Sequence, residues 1–454
     1  MPAERDGNDD RKRDFALWAV RRLRQRGYLA LWAGGCVRDL LMGRTPEDYD
    51  VATNATPDQV RRVFGLRRTR QVGASFGVII VLGPPQVGKL EVATFRTEGP
   101  YLDGRHPSHV AFATPEEDAR RRDFTINGMF YDPIEEKVLD YVGGQEDLRR
   151  RIVRAIGDPE ARMREDKLRL LRAVRFTAGL DFQLDPATAA AVRRLCRDIR
   201  VVSVERITQE LRRMLLDAHR RRAVELCHEL GLLFEILPEL KPVGPDPTIP
   251  ADGGPGPSDA DLDVRDAEPR SDPWLVTLRM LAELRRPSFT LAFATLVQAF
   301  LDGNVVRAVC RRLRFSNDEA DTVVWLLRSR PRLAEAPSLS LAELKRLLAD
   351  PRRDELMELT RVTRLAHGAD LEPVEFCRRY LERTSQERLA PPPLITGEDL
   401  IAAGLQPGPL FGRLLRAVRE AQLNETIQSR EEALQLVQRL QSTSGNDASS
   451  WKKP

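Results

Sequence analysis

The pattern of the chain changes once, near Asp158, and that change limits the folds open to it. Before it, short β-branched stretches alternate with helical pieces. LALWAG reads as a buried strand, and EDYDVAT, GVIIVL, KLEVATF and KVLDYV as four more. Asp14 to Arg26, with Phe15, Leu17, Trp18, Val20 and Leu23 at helical spacing, reads as an amphipathic helix, and GGCVRDLLMG as a glycine turn entering another. After Asp158 the strand signals vanish. EDKLRLLRAVRF, ATAAAVRRLCRDI, VERITQELRRML and RRAVELCHELGLL all carry helical periodicity. A strand-containing domain followed by helical ones is the fold class this order allows, and 454 residues are too many for one core.

A second break lies between Leu240 and Asp272, where seven prolines, eight acidic and three basic residues leave little to bury, so this stretch reads as a linker. Helical patterning resumes at Trp274 and runs to about Arg383. APPPLITGEDL marks another boundary, the last helical stretch reaches Leu440, and QSTSGNDASSWKKP reads as a disordered tail. There is no internal repeat. With 31% charged and 42% hydrophobic residues the chain is globular, and no apolar run of about 18 residues could span a membrane. The opening MPAERDGNDDRKRD is too charged for a secretory signal. Five scattered cysteines never form C-x-x-C, which favours a reducing cytoplasm over a disulfide framework or a zinc site. His106 and His109 have no cysteine near them to complete a metal site.

The formal charge of +4 argues against a protein that simply coats nucleic acid, but it is unevenly spread. Of 72 basic residues, 64 are arginine, whose planar fork suits phosphate; a biased genome would give the same excess. Glu160 to Arg222 holds 16 basic and 9 acidic residues, enough to track an RNA backbone, with few aromatics for base stacking.

Four constellations bear chemistry. In LWAGGCVRDLLMGRTPEDYDVAT a strand ends at Gly34-Gly35, whose bare backbone lets a ligand approach as a helix begins. Asp48 and Asp50 follow at i and i+2 on the next strand, so their carboxylates converge as Mg²⁺ requires. Glu91 in KLEVATF is a candidate third ligand; the alternative is a pairing with Arg96 or Arg38. GPPQVGKL imitates a phosphate loop but has leucine where Ser or Thr is needed, and it reads as a hairpin connection. In DARRRDFTINGMF, Arg120, Arg121 and Arg122 precede Asp123, with Asn127 four residues on; these are either a solvated face or contacts for triphosphate and sugar. Finally, Glu165-Asp166-Lys167-Leu168-Arg169 continues to Arg172, Arg175 and Phe176. As one helix, it places Asp166 and Arg169 on one face, either to read a nucleobase edge or as an intrahelical ion pair.

Taken in order, GGCVRD, EDYDVAT, EVATFR, DGRHP, RRDFTINGMFYDP and EDKLRLLRAVRF resemble the bacterial class II nucleotidyltransferases, the family of CCA-adding tRNA nucleotidyltransferases and bacterial poly(A) polymerases. The match covers roughly Leu29 to Glu239; a weaker one, PLITGEDLIAAGLQPGPLFGRLLRAV with EEALQLV, looks like the tail of CCA-adding enzymes. The resemblance implies an α+β head with a polymerase-β-like sheet, followed by all-α neck, body and tail domains. The expected boundaries are 1–28 for a terminal tail and helix, 29–157 head, 158–239 neck, 240–272 linker, 273–385 body, 386–440 tail and 441–454 disordered.

It further implies that Asp48 and Asp50 hold catalytic Mg²⁺, with Glu91 beside them. Gly34, Gly35, Arg38 and Asp39 would form the triphosphate turn, and Arg121, Arg122, Asp123, Phe124 and Thr125 would contact sugar and phosphates. Asp166 and Arg169 would act as a protein template for the base, with Glu165 bracing the arginine. The implied reaction is addition of CMP and AMP from CTP and ATP to a tRNA 3′ end. The alternative is poly(A) or single-A addition, and the partners are RNA and nucleotides, with no membrane or DNA. Lys167-Leu168-Arg169 departs from the family's usual ALR or PVR, whereas Glu98 to Pro107 resembles the flexible loop of full CCA enzymes. No His-Asp phosphohydrolase signature is present. A non-catalytic RNA-binding relic would need a lost carboxylate, and none of the three is missing.

Overall fold

The computed structural model describes residues 7–71, 77–98, 110–241 and 272–447. It divides into two compact units, Met1–Ile249 and Pro250–Pro454.

In the first unit, α1 (Gly7–Arg24) begins well before Asp14, where the sequence pattern starts. It buries Ala16, Ala19, Val20 and Leu23, at the i, i+3, i+4, i+7 spacing of one helical face. Trp18 is left largely outside that face, stacked on Phe15 at 5.3 Å. β1 (Ala30–Ala33) is wholly buried and leads through a glycine turn into α2 (Gly35–Leu41). The other strands of the sheet are β2 (Asp50–Thr53), β3 (Thr69–Gln71), β4 (Val78–Leu82) and β5 (Lys89–Thr94), with α3 (Pro57–Phe64) between β2 and β3.

A ribbon of β6 (Arg96–Glu98) and β7 (Val110–Phe112) leads to α4 (Pro115–Arg120), and β8 (Phe130–Asp132) and β9 (Lys137–Leu139) complete the sheet. Its order is β3-β4-β5-β2-β1-β8-β9, with β2 and β5 parallel and every other pair antiparallel. Register places Glu91 beside Asp50, Asp50 beside Ala33, and Ala33 beside Phe130. Leu31, Ala33, Ala52, Phe95 and Phe130 pack with Ala119 of α4 into one core cluster. α4 itself starts on a capping box, Thr114 with Glu117, and a proline at its first position, so its entry point is fixed locally. The glycine-proline stretch between β4 and β5 is a hairpin turn, with the Gly83 amide donating to the Gly88 carbonyl at 2.8 Å.

Beyond the sheet come α5 (Gly144–Arg149), α6 (Pro159–Glu165), α7 (Arg169–Gly179), α8 (Pro186–Leu195), α9 (Val204–Leu216), α10 (Arg220–Glu229) and α11 (Leu233–Ile236). Two departures from the sequence reading matter. A two-residue parallel pair, β10 (Ile152–Val153) with β11 (Gln183–Leu184), carries strand structure past Asp158. The segment around Asp166 is two helices, because Asp166 adopts extended backbone at φ −133°, ψ 105° and ends α6.

The second unit is helical throughout its described residues. α12 (Pro273–Glu283), α13 (Phe289–Val297), α14 (Gly303–Arg312), α15 (Asn317–Leu333), α16 (Leu341–Leu348) and α17 (Arg353–Ala366) build its first part, with Phe289, Phe293 and Phe315 rings in mutual contact. α18 (Glu372–Arg383), α19 (Gln386–Leu389), α20 (Gly397–Ala402), α21 (Pro409–Leu423) and α22 (Arg430–Asp447) follow, the last three closing over Leu400, Leu414, Val418, Ala433 and Val437. α22 runs on through Asp447, so the segment after Leu440 begins as helix, not tail. The ends of the acidic linker are also structured: Leu240 is buried, and Asp272 caps α12 by accepting from the Trp274 amide. Residues 242–271 of that linker, His106, His109, residues 99–107 and the last seven residues lie outside the described segments. No described helix is long and apolar enough to cross a membrane.

Candidate active site

The turn after β1 is the first wall of the site. Gly34 sits at φ +76°, a conformation that L side chains rarely adopt, and a Cβ there would lie 3.1 Å from Nη1 of Arg122. One turn into α2, Arg38 donates through Nε and Nη2 to both carboxylate oxygens of Asp39, at 2.9 and 3.0 Å. Its Nη1 donates to Oδ1 of Asn127 at 2.8 Å.

β2 and β5 form the floor. Their parallel register makes Asp50 and Glu91 immediate neighbours, while Val51 and Val92, one step on, turn into the core. Neither carboxylate has a hydrogen-bond or ion-pair partner within the described residues. Arg38, one suggested partner for Glu91, is taken by Asp39 and Asn127. Although Asp50 opens on the cleft, protein atoms crowd its carboxylate. That desolvation, with repulsion from Glu91 and then Asp48, outweighs the attraction of Arg122 and pushes its pKa up to about 6.

The expected convergence of three carboxylates is only partly met. Asp48 precedes β2 instead of lying on it; its side chain is 85% exposed and 3.5 Å from Nζ of Lys12. Among the described residues no three His, Cys, Asp or Glu side chains are gathered as a ready metal cage. What fits a divalent cation is the unpaired Asp50–Glu91 couple, hard oxygen donors whose mutual repulsion a cation would relieve.

Opposite this floor stands an arginine wall. The buried Asp118 carboxylate accepts from Nη2 of Arg121 at 2.6 Å and Nε of Arg122 at 3.1 Å, so the arginine run is an anchored array and not a solvated face. Arg120, by contrast, pairs on the surface with Glu116. Asp123 accepts two bonds from Arg172, at 2.8 and 2.5 Å, one from its neighbour's amide, Phe124, and one from Asn127 Nδ2. Burial alone would raise the Asp123 pKa; the Arg172 charge and hydrogen bonds, with the Arg169 charge, hold it at about 2. The Phe176 ring lies under Arg38, Arg172 and Arg175, at 5.4, 5.2 and 4.1 Å.

The Asp166–Arg169 ion pair is not formed. Arg169 Nη1 donates to Glu165 Oε2 at 2.6 Å, and its two terminal nitrogens also bind the carbonyls of Arg162 and Arg121, which fixes the guanidinium. Asp166 accepts from Nη2 of Arg206, on α9, at 2.8 Å and from the Leu168 amide at 3.1 Å. Arg175 turns away to the buried Glu210, at 2.5 Å.

A cavity of about 390 Å³ gathers most of these groups. Gly34, Gly35, Arg38 and Asp50 line one side; Arg121, Arg122, Asp123, Asn127 and Arg172 line another; Asp166, Arg169 and Phe176 complete it. Asp39, Asp48, Glu91, Glu165 and Arg175 are not part of the lining. Asp118, Arg206 and Glu210 escaped the sequence reading. Glu210 carried one signal, a charge where the helical pattern buries a face, between Ile207 and Leu211; Arg206, outside that face, carried none.

Residues 30–154 match the poly A polymerase head domain, and residues 181–243 match the probable RNA- and SrmB-binding site of polymerase A. The CCA-adding enzyme of Bacillus subtilis (strain 168) is 45% identical over 222 residues, 49% of this chain and 55% of that one. Poly(A) polymerase I of Salmonella typhi is 41% identical over 236 residues, half of each chain. The chain thus spans about half the length of the curated relatives it matches. Over nearly its whole length, 95% of this chain and 98% of the other, it superposes on the CCA-adding enzyme of Bacillus stearothermophilus crystallised with CTP. The TM-score is 0.71 at 29% identity. Sheet, site order and both family matches agree over residues 30–243, where the chain is similar to the nucleotidyltransferases that include CCA-adding enzymes and bacterial poly(A) polymerases.

Proposed function

We propose that this protein adds CMP and AMP to tRNA 3′ ends from CTP and ATP, completing a CCA terminus without a nucleic-acid template. The observation that carries the reading is a single cavity that unites Asp50 of the unpaired acidic floor with the arginine wall and with Asp166 and Arg169. In the reaction the 3′-hydroxyl oxygen bonds to the α-phosphorus, the bond to the β-phosphate bridging oxygen breaks, and pyrophosphate leaves. Asp50, with Asp48 and Glu91, would hold Mg²⁺, which would supply Lewis-acid stabilisation of developing negative charge. Gly34 and Gly35 let the triphosphate come close to bare backbone, and Arg121 and Arg122, held by Asp118, meet its charge. Asn127, already bonded to Arg38 and Asp123, orients the sugar.

Asp166 and Arg169 read the base, one offering an acceptor and the other donors. Each is pinned by a different neighbour, Arg206 for the acid and Glu165 for the base, so the pair presents a preformed edge. With five free cysteines, a reducing cytoplasm is the compartment that suits the chain.

The second reading, addition of AMP alone, is favoured by the 41% identity to a poly(A) polymerase I. Incubating tRNA that lacks its last three nucleotides with CTP and ATP, then sequencing the 3′ ends, separates the two. Ends that stop at CCA are expected, and runs of A without C would replace this reading with the second.

A further inference from the structure

The second unit contains a cavity of about 250 Å³ among α12, α15, α17 and the segment after α13, lined by Pro273, Val276, Met280, Gln298, Ala299, Arg330, Thr363 and His367. Arg330 is its only arginine or lysine, and no carboxylate lines it. Its Nε is fully buried without a hydrogen-bond partner, and it has no ion pair within the described residues. The side chain as a whole is half-buried, but this one N–H has neither water nor a protein acceptor, and a buried donor left unsatisfied costs about 1–3 kcal/mol. Two more donors point to the same space. Gln298 gives its Nε2–H to the Met280 thioether at 3.0 Å, a weak acceptor, while its carbonyl is occupied by Thr363 Oγ1 at 3.3 Å. The His367 ring stands exposed at the rim, with no protein partner within the described residues.

An unpartnered arginine N–H, two further donors and no carboxylate make an environment complementary to an oxyanion. The volume is below the range of sites that hold nucleosides or drug-sized ligands.

We propose that this cavity binds a phosphate group, with Arg330 as its principal anchor and Gln298 and His367 as further donors. The group is either free, as inorganic phosphate or pyrophosphate, or carried on an RNA backbone. A guanidinium fork donates to two phosphate oxygens at once and brings the positive charge that an anion needs. Desolvation already holds the Arg330 pKa below its ordinary value, and an anion beside it would reverse that. The assignment stands independently of the nucleotidyl-transfer site, since every group in it belongs to the second unit.

The test uses the full-length protein, wild type and Arg330→Met. The variant removes an unpaired charge and is expected to fold; Gln298→Leu is the second variant. Thermal unfolding is followed against inorganic phosphate and, separately, pyrophosphate, at constant ionic strength, and tRNA affinity is measured against salt. For free anion, the wild-type Tm rises saturably while Arg330→Met shows only the small unsaturable rise common to excluded salts, and Gln298→Leu is about tenfold weaker. For a backbone phosphate, neither anion acts specifically, and Arg330→Met lowers tRNA affinity and reduces the magnitude of the salt slope by about 1. If phosphate, pyrophosphate and tRNA all act identically on wild type and Arg330→Met, the proposal is overturned.

Discussion

Asp50 and Asp123 line one cavity, and burial acts on both, yet they end four pH units apart, at about 6 and about 2. The difference lies in what stands beside them. Asp123 is matched by Arg172 with two hydrogen bonds and by the charge of Arg169, so its negative charge is part of the fold. Asp50 has another acid, Glu91, as its strand neighbour, and the attraction of Arg122 does not offset that repulsion and the desolvation. The first is an acid completed by protein; the second is left for a cation to complete. Where two carboxylates of one site are compensated so unequally, the uncompensated one is the better candidate for chemistry.

The contrast breaks most visibly in activity. Asp50→Ala is expected to lower nucleotide incorporation by on the order of 10³-fold or more, since several kcal/mol of charge stabilisation vanish. A filter-binding assay on the same variant should show tRNA affinity little changed, and undiminished turnover would remove Asp50 from the floor's chemistry.

Asp123→Asn should instead strike stability, by about 3 kcal/mol in urea unfolding, because Arg172 is left without its counter-charge. The acid's contribution is fully present above its ordinary 3.8 and is lost as pH falls through about 2. Wild type should therefore lose stability over that interval more steeply than Asp123→Asn.

An intermediate effect is expected at the base-reading edge. Asp166→Ala should shrink the choice between CTP and ATP by about tenfold, within the range of one lost polar discriminator, in competition assays. Selectivity that survives would leave Asp166 as a structural partner of Arg206.

The smallest effect sharpens the comparison from the other side. The Asp50 pKa is raised, so ionisation costs stability as pH climbs from 3.8 through about 6. At pH 7 without divalent cation, Asp50→Asn should stabilise the protein by on the order of 1 kcal/mol after solvent screening. Added Mg²⁺ should erase that advantage by stabilising wild type alone, as read by Tm.

The groups legible in the sequence are those whose geometry is set within a few residues. Gly34-Gly35 announces a turn, and the alternation in KLEVATF puts Glu91 on the face opposite Leu90 and Val92. The illegible ones take partners far along the chain: Arg206 reaches back 40 residues to Asp166, and Arg172 reaches 49 to Asp123. Glu165 to Arg169 reads as one helix because its residues favour one. Asp166 interrupts it by accepting from the amide two residues on, the local bond with which aspartate competes against helix. That interruption leaves the alternative of an Asp166–Arg169 ion pair unmet and sends the carboxylate toward α9.

The hairpin between β4 and β5 shapes more than the edge of the sheet. Its turn, closed from Gly83 to Gly88, fixes where β5 begins against β4, and β5 in turn meets β2 with Glu91 level with Asp50. Slippage by one residue would bring Leu90 or Val92 level with Asp50 and turn Glu91 into the core. Two prolines and two glycines outside the 390 Å³ cavity thus act as a ruler for the acidic floor, and a change of turn length there could silence the protein without touching a single polar group in the cavity.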